Sequence, residues 1–476
     1  MAYLTKNFEP LLVACQGDFT RPSFVLFCAI MTGWALSIRH RYVTELIYAS
    51  DNVGNGHWSR FHRFFSHNAW SLDALSMTIA SLLIDAFVPS GVIVLALDDT
   101  LCRKRGLNVF GAGMHHDPLL SSKQVKLVSW GHVWVVLALV VSLPSWAPSK
   151  VFSLPLGFRL YRNRQGNNKG KKKHAQDTRS RCPRKRNKAN KKAKGTPLSS
   201  PVQAEPHRTR PELGLELICL IAKTFPQRLF VVTADSLYGG KSVLLHLPAN
   251  VHLISRVHPN GALYLPAPEA TGKRGRTRKK GERLSSMQEW ADDHRAPWNR
   301  HVFDQYGLHA DVAVKTRKGL YYTAGKERLL LFVLVRDNTG KRPLSIFYCT
   351  LLDWTAKNIL STYASRWSIE VAFENGKQML GFEDPANRLP KAVQRTAPLA
   401  MLLVSLVTLW FHQHGHRHVR FPRRPWYRKK KEPSFGDMLT TWRRLTWEEL
   451  WRGAIGNERR TKKIFTQMTE FVSRAG

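Results

Sequence analysis

The sequence predicts a mixed α/β fold with helical regions at both ends. Two continuous apolar runs of strand length, residues 92–97 and 228–234, stop abruptly on acids: Asp98 and Asp99 after the first, Asp235 after the second. An amphipathic helical stretch, residues 212–225, lies between them. Helical apolar spacing dominates the first 90 residues and returns beyond residue 390.

Residues 1–90 read as a helical domain, with helical spacing at 11–15, 24–36 and 72–87. Between these, residues 57–67 mix aromatics with His, Arg60 and Arg63. They are either an amphipathic helix closing a small bundle or a helix that rests on DNA, with Arg60 and Arg63 near phosphates. Pro89-Ser90-Gly91 is a break. The strand that follows ends at Asp98-Asp99-Thr100 and delivers carboxylates to the rim of a sheet, unless the acids merely cap a turn. Alternation lets only one of Asp98 and Asp99 point fully into a site. Residues 107–117 and 126–143 read as further strands of an antiparallel set, the second too long for a single strand.

From residue 159 to 194, sixteen Lys or Arg stand against one acid, Asp177. Such a run cannot pack. Segment 159–195, with Lys171, Lys172 and Lys173, is expected to be a disordered loop. It either grips phosphate without reading sequence or is a solvated linker. Beyond it come a short helix at 239–247 and a strand at 251–256. The order strands, helix, strand ending in Asp, helix, strand matches a ribonuclease-H-like core over 91–257 and 351–390. Residues 258–350 interrupt it. They open with a second basic run and continue with strand candidates 329–336 and 344–350 joined by D-N-T-G, a β-rich insertion. Trp290 and Trp298 lie there, either as structural residues or as base-stacking platforms. The last region, 391–476, holds an apolar helix at 397–414, a third basic segment at 416–431, and helices at 442–453 and 459–472.

Charge narrows the partner. The 476 residues carry 73 Lys plus Arg against 34 Asp plus Glu, a net +39. Such an excess points to a polyanion, either nucleic acid or an anionic membrane surface. The longest apolar runs, 133–143 and 399–411, fall short of the ~18–20 residues of a membrane helix. The N-terminal residues lack a signal-peptide pattern. The six cysteines are scattered with no C-x-x-C, as reduced thiols of a cytosolic protein would be. No membrane contact is expected; nucleic acid in the cytoplasm is.

Residues 363–377 read Y-A-S-R-W-S-I-E-V-A-F-E-N-G-K. On one continuous helix, Tyr363, Arg366, Glu370 and Lys377 would fall within about a 60° arc. Trp367, Ile369, Val371, Ala372 and Phe373 suggest a helix packed over much of its surface. An acid, two cations and a phenol on one stripe form either a solvated salt-bridge face or a site for a metal ion beside a phosphate.

The spacing Tyr363, Arg366, Glu370, Lys377 resembles the Tyr-Arg-Glu-Lys signature of bacterial insertion-sequence DDE transposases. These are of the insertion-sequence-four type, which includes the transposon-five transposase as a distant relative. The D-S-L-Y-G at Asp235 is more similar to the insertion-sequence-701 branch. The resemblance implies a transposase that binds terminal inverted repeats in double-stranded DNA, cuts at the ends and joins the 3′ ends to target DNA. It implies a homodimer in a synaptic complex, in the bacterial cytoplasm and associated with the nucleoid. Glu370 would be the third metal-binding carboxylate, with Asp98 and Asp235 upstream and Asp99 as the alternative to Asp98. Mg²⁺ would be the cofactor and Mn²⁺ its substitute. Tyr363, Arg366 and Lys377 would face phosphates near the transposon end. A DNA-binding remnant without catalysis, or another ribonuclease-H-like nuclease, are the competing classes.

Overall fold

The computed structural model describes residues 7–473 except 52–55, 123, 143, 165–205, 259–260, 270–276, 306–307 and 422–429. Five helices come first: α1 (Glu9–Val13), α2 (Arg21–Leu36), α3 (Val43–Ala49), α4 (Ser59–Ser66) and α5 (Leu72–Phe87). Four strands follow: β1 (Ile93–Arg103), β2 (Gly113–His116), β3 (Val128–Ser142) and β4 (Val151–Tyr161). Then come α6 (Arg210–Thr224), β5 (Phe230–Ala234), α7 (Lys241–Leu244) and β6 (Val251–Arg256). The next stretch holds α8 (Met287–Asp292), β7 (Asn299–Gln305), β8 (Leu308–Leu320), α9 (Tyr322–Gly325), β9 (Leu329–Asp337) and β10 (Ser345–Cys349). Helices α10 (Ala356–Ser365), α11 (Ser368–Leu380), α12 (Pro390–Gln413), α13 (Phe435–Arg452) and α14 (Glu458–Ser473) complete the chain.

All ten of these strands join one sheet, in the order β2-β3-β1-β5-β6-β10-β9-β8-β7, with β4 also paired to β3. β1 is parallel to β5 and β5 to β6, while β3 runs antiparallel to β1. The fold is therefore mixed α/β around one large sheet. The strands between residues 258 and 350 extend that sheet through β10, which pairs antiparallel with β6.

Several sequence expectations change. The strand expected to stop at residue 97 runs on through Asp98 and Asp99 to Arg103, because β3 supports it over that whole length. Residues 126–143, expected to be too long for one strand, contain the single 15-residue strand β3. It can be that long because it serves two partners at once. β1 lies along one edge, and β2 then β4 along the other, with a register shift at Leu137/Ala138 easing the twist. Only residues 113–116 of the expected strand 107–117 pair. β4 went unseen because Pro155 and Gly157 interrupt its strand pattern. It continues to Tyr161, so the start of the expected disordered segment is ordered. Arg159 pairs there with Asp73 at 2.8 Å and Glu216 at 3.1 Å. β7 and β8 were also missed.

α12 starts at Pro390, earlier than its apolar run suggests, and has 24 residues. It is long and apolar enough to cross a membrane by composition, yet 94% of its most apolar window is buried inside the protein. It is the central post of the core. α4 packs Phe61, Phe64 and Phe65 inward.

Candidate active site

The site starts from strand register. In the parallel pair β1/β5, Leu97 lies opposite Ala234. Asp98 and Asp235 are thus the next residues on two neighbouring strands, where spacing is about 4.8 Å. β5 ends there, so its carboxylate is released at the sheet's C-terminal rim. A tight turn then fixes it: Asp235 Oδ1 accepts the N–H of Leu237 at 3.0 Å and of Tyr238 at 3.4 Å, and its carbonyl accepts the Ser255 hydroxyl at 2.8 Å.

Alternation along β1 sends Asp98 and Asp99 to opposite faces. Asp98 faces the signature segment, where Arg366 Nη1 donates to its Oδ2. Asp99 faces α6 and the turn after β5: Tyr238 Oη donates to Oδ1 at 2.9 Å, and Arg210 Nη1 sits 3.0 Å from Oδ2. The Asp99 N–H donates to Asp98 Oδ1 at 2.8 Å.

The signature segment is two helices, not one. Across Arg366 and Trp367 the backbone bonds tighten to i→i−3, with Arg366 N–H to Tyr363 O, Trp367 N–H to Ala364 O and Glu370 N–H to Trp367 O. Serine hydroxyls compete for the carbonyls here: Ser365 donates to Thr362 O and Ser368 to Ser365 O. Tyr363 therefore lies in the last turn of α10, Arg366 sits at the joint, and Glu370 and Lys377 ride on α11. Trp367 and Val371, expected to pack, are 54% and 43% exposed, whereas Ile369, Ala372 and Phe373 are buried.

α11 is held at both ends. Ser368 and Ser153 of β4 share a 2.6 Å hydroxyl bond. At the C-terminus Gly381 takes a left-handed conformation (φ +60), and Phe382 N–H returns to Gly376 O. The indole N–H of Trp34 caps Leu380 O at 2.7 Å, so the N-terminal helices help aim Glu370.

The arrangement gathers acids around a cation. Arg366 bridges Asp98 and Glu370, whose Oε1 is 3.5 Å from Nη2. Burial pushes the Asp98 carboxyl up to about 7; Arg366 and the Asp99 N–H pull against this, while Asp235 and Asp99 add to it. Burial also raises Glu370 against the pull of Arg366. Burial weakens the hold of Arg366 on its proton, but Asp98, Tyr363, Glu370 and Asp235 more than offset it. The guanidinium therefore stays charged and is the fixed element of the pair. Among the described residues, no three His, Cys, Asp or Glu side chains are gathered closely enough to hold a metal ion. Asp98 and Glu370 are organised around Arg366.

Lys377 is further along. Its Nζ donates to Leu101 O at 2.7 Å and lies 3.5 Å from Glu383. Tyr363 packs against Phe347 in a tilted pair, with centroids 4.6 Å apart, and lies under the Arg366 guanidinium at 5.8 Å. Arg60 and Arg63 are exposed on α4, remote in sequence from the acids. Lys171, Lys172 and Lys173 lie outside the described residues. Trp290 is buried and covered by Arg317 at 3.8 Å, and Trp298 is flanked by Lys315 and Arg336. These contacts are those of structural tryptophans. The sequence reading missed the partners of Asp99. Tyr238 and Arg210 carry no motif of their own, although D-S-L-Y places a phenol three residues after Asp235.

Asp98 and Asp235 on two parallel strands, with Asp98 and Glu370 meeting Arg366 at a helix joint, make up the candidate site. The chain belongs to the DDE superfamily endonucleases: that family's model matches residues 43–319, more than half of its length. The matched span includes Asp98, Asp99 and Asp235 and ends before Glu370. Membership implies a DNA substrate and a transposase-like nuclease. A comparison with curated proteins gives no match.

Proposed function

We propose that the protein is a DNA transposase of the insertion-sequence-four or insertion-sequence-701 type. It binds the terminal inverted repeats of its element, cleaves at the ends and joins the 3′ ends to target DNA. The observation that carries this reading is the shared cation: Asp98 and Glu370 meet on Arg366, beside Asp235 on the neighbouring strand. The order β3-β1-β5-β6, with β1 antiparallel to β3 and parallel to β5, supports a ribonuclease-H-like core. The net charge of +39 suits a partner with a phosphate backbone.

By donor chemistry the three acids suit a divalent ion, although as they stand their side chains are not gathered closely enough to hold one. Asp98, Asp235 and Glu370 offer only carboxylate oxygens, which Mg²⁺ prefers and Mn²⁺ accepts. Their present counter-ion is a guanidinium, so the site already favours positive charge. Asp98, rather than Asp99, is the ligand on β1, because Asp99 is committed to Tyr238 and Arg210 on the other face. When bound, divalent ions supply an activated water or hydroxyl and neutralise the leaving oxygen. The chain's own residues orient the scissile strand. Tyr363, Arg366 and Lys377 meet phosphates of the transposon end, Arg366 through its bidentate fork. Arg60 and Arg63 on α4, and the basic run with Lys171, Lys172 and Lys173, bind backbone without reading bases. Two ends must be held together, so the working form is a homodimer in a synaptic complex. Its place is the bacterial cytoplasm, with the nucleoid.

The test is incubation of the purified protein with Mg²⁺ and DNA carrying the ends that flank its gene. Cleavage at those ends is expected. Asp235→Ala and Glu370→Ala should abolish it and leave DNA binding largely intact. Near-normal cleavage by either variant overturns the site. A protein that binds the ends but never cuts them is instead a DNA-binding remnant.

A further inference from the structure

Asp99 is a half-buried carboxylate that the catalytic reading leaves without a task. It sits in the middle of an apolar strand, beside two more acids, where an apolar side chain would pack at lower cost. Its partners are specific. Tyr238, fully buried, donates its phenol to Oδ1 at 2.9 Å, and Arg210 at the start of α6 balances Oδ2 at 3.0 Å. The backbone of the same two residues reaches the site: Asp99 N–H donates to Asp98 Oδ1 at 2.8 Å, and Tyr238 N–H donates to Asp235 Oδ1 at 3.4 Å. A hydrogen-bonded path therefore runs from Asp98 to Asp99, across to Tyr238, and on to Asp235. This path ties the acid on β1 to the turn after β5.

We propose that Tyr238 is a positioning residue of the active site: through Asp99, with Arg210 as counter-ion, it sets the relative placement of Asp98 and Asp235. This rests on reading Asp98 and Asp235 as metal carboxylates. The ring itself is held by packing. A Cβ on Gly214 of α6 would meet Leu97 at 2.9 Å and the Tyr238 ring at 3.0 and 3.1 Å, so α6 clamps the aromatic face from behind. A phenylalanine fills the same space, and the hydroxyl adds only the bond to Asp99. The link acts as an outer-shell partner does at a metal site, by orienting the groups that bind.

The experiment is Mn²⁺ titration of the full-length protein, followed by calorimetry or electron spin resonance, for wild type, Tyr238→Phe, Asp99→Asn and the double variant. Asp98→Asn and Asp235→Asn serve as references. Tyr238→Phe should weaken Mn²⁺ binding roughly tenfold, with end-DNA affinity in the absence of divalent metal unchanged. Asp99→Asn should weaken it in the same direction, and the double variant should lose less than the product of the two, since both act through one path. Asp99→Asn carries the test if Tyr238→Phe does not fold. Wild-type Mn²⁺ affinity in both single variants, with Asp98→Asn and Asp235→Asn impaired, overturns the positioning role alone. Mn²⁺ binding that survives Asp98→Asn and Asp235→Asn overturns the ligand reading and the positioning role with it.

Discussion

Arg366 donates to Asp98 Oδ2 and stands 3.5 Å from Glu370 Oε1, so one guanidinium neutralises acids from β1 and α11 together. A divalent ion entering between these carboxylates competes with a charge already there. Arg366→Ala should therefore raise the Mn²⁺ affinity of the DNA-free protein. A tenfold gain needs only ~1.4 kcal/mol of relieved competition. End-DNA affinity should fall in the same variant. Unchanged Mn²⁺ binding in the titration would mean that the ion sits away from the pair.

The ionisation of Asp98 has a cost in the metal-free fold. Burial pushes it up to about 7 from an ordinary 3.8. Between those values the folded protein binds a proton that the unfolded chain does not. Stability contributed by the protonated form is thus present at low pH and lost as pH rises from about 4 through about 7. Asp98→Asn removes the term. Between pH 5 and 8 the variant should be more stable than the wild type by an amount on the order of 1–4 kcal/mol, seen as a higher melting temperature. Melting curves in chelator across that range check it; a difference that does not change with pH contradicts the buried, proton-holding carboxyl.

Close strand contact gives a stability test. A Cβ on Gly131 of β3 would lie 2.3 Å from Cys102 O, a backbone atom that cannot swing away, while one on Gly240 meets nothing within 4 Å. Gly131→Ala should cost about 1–3 kcal/mol through overpacking between β1 and β3. Gly240→Ala should be nearly neutral. Urea unfolding of the two variants separates them, and equal midpoints would mean the strands can part freely.

What was legible in the sequence was what short-range pattern encodes. The apolar runs before Asp98 and Asp235 marked β1 and β5, whose pairing puts these two acids on neighbouring strands, because apolar patterning is local. What was not legible depended on partners distant in the chain. β3 could be one long strand only because β1, β2 and β4 share its two edges. The break at Arg366 came from serine hydroxyls competing for carbonyls, which a 3.6-residue period does not register. The partners of Asp99, Tyr238 and Arg210, are more than a hundred residues away in the chain. Arg366 was read as a phosphate ligand, and its engagement with Asp98 needed the third dimension.

Lys377 provides the sharpest contrast with Arg366. It lies on α11 seven residues after Glu370, about 10 Å along the axis, too far to share the acids. Its Nζ holds Leu101 O at 2.7 Å, with Glu383 at 3.5 Å, so it straps the end of β1 to α11. As a strap alone, it would affect stability and nothing else. As a phosphate ligand as well, it would leave Leu101 for the transposon end. Lys377→Ala should then weaken end-DNA binding by about 1.5–3 kcal/mol if the charged hydrogen bond is well shielded. The slope of log affinity against log salt should drop by about one. Mn²⁺ affinity of the DNA-free protein should stay where it is, unlike the rise expected for Arg366→Ala. End-DNA binding at several salt concentrations, paired with Mn²⁺ titration, reads all three. A Lys377→Ala protein that melts earlier but binds ends with the wild-type affinity and salt slope would show that this lysine serves the fold only.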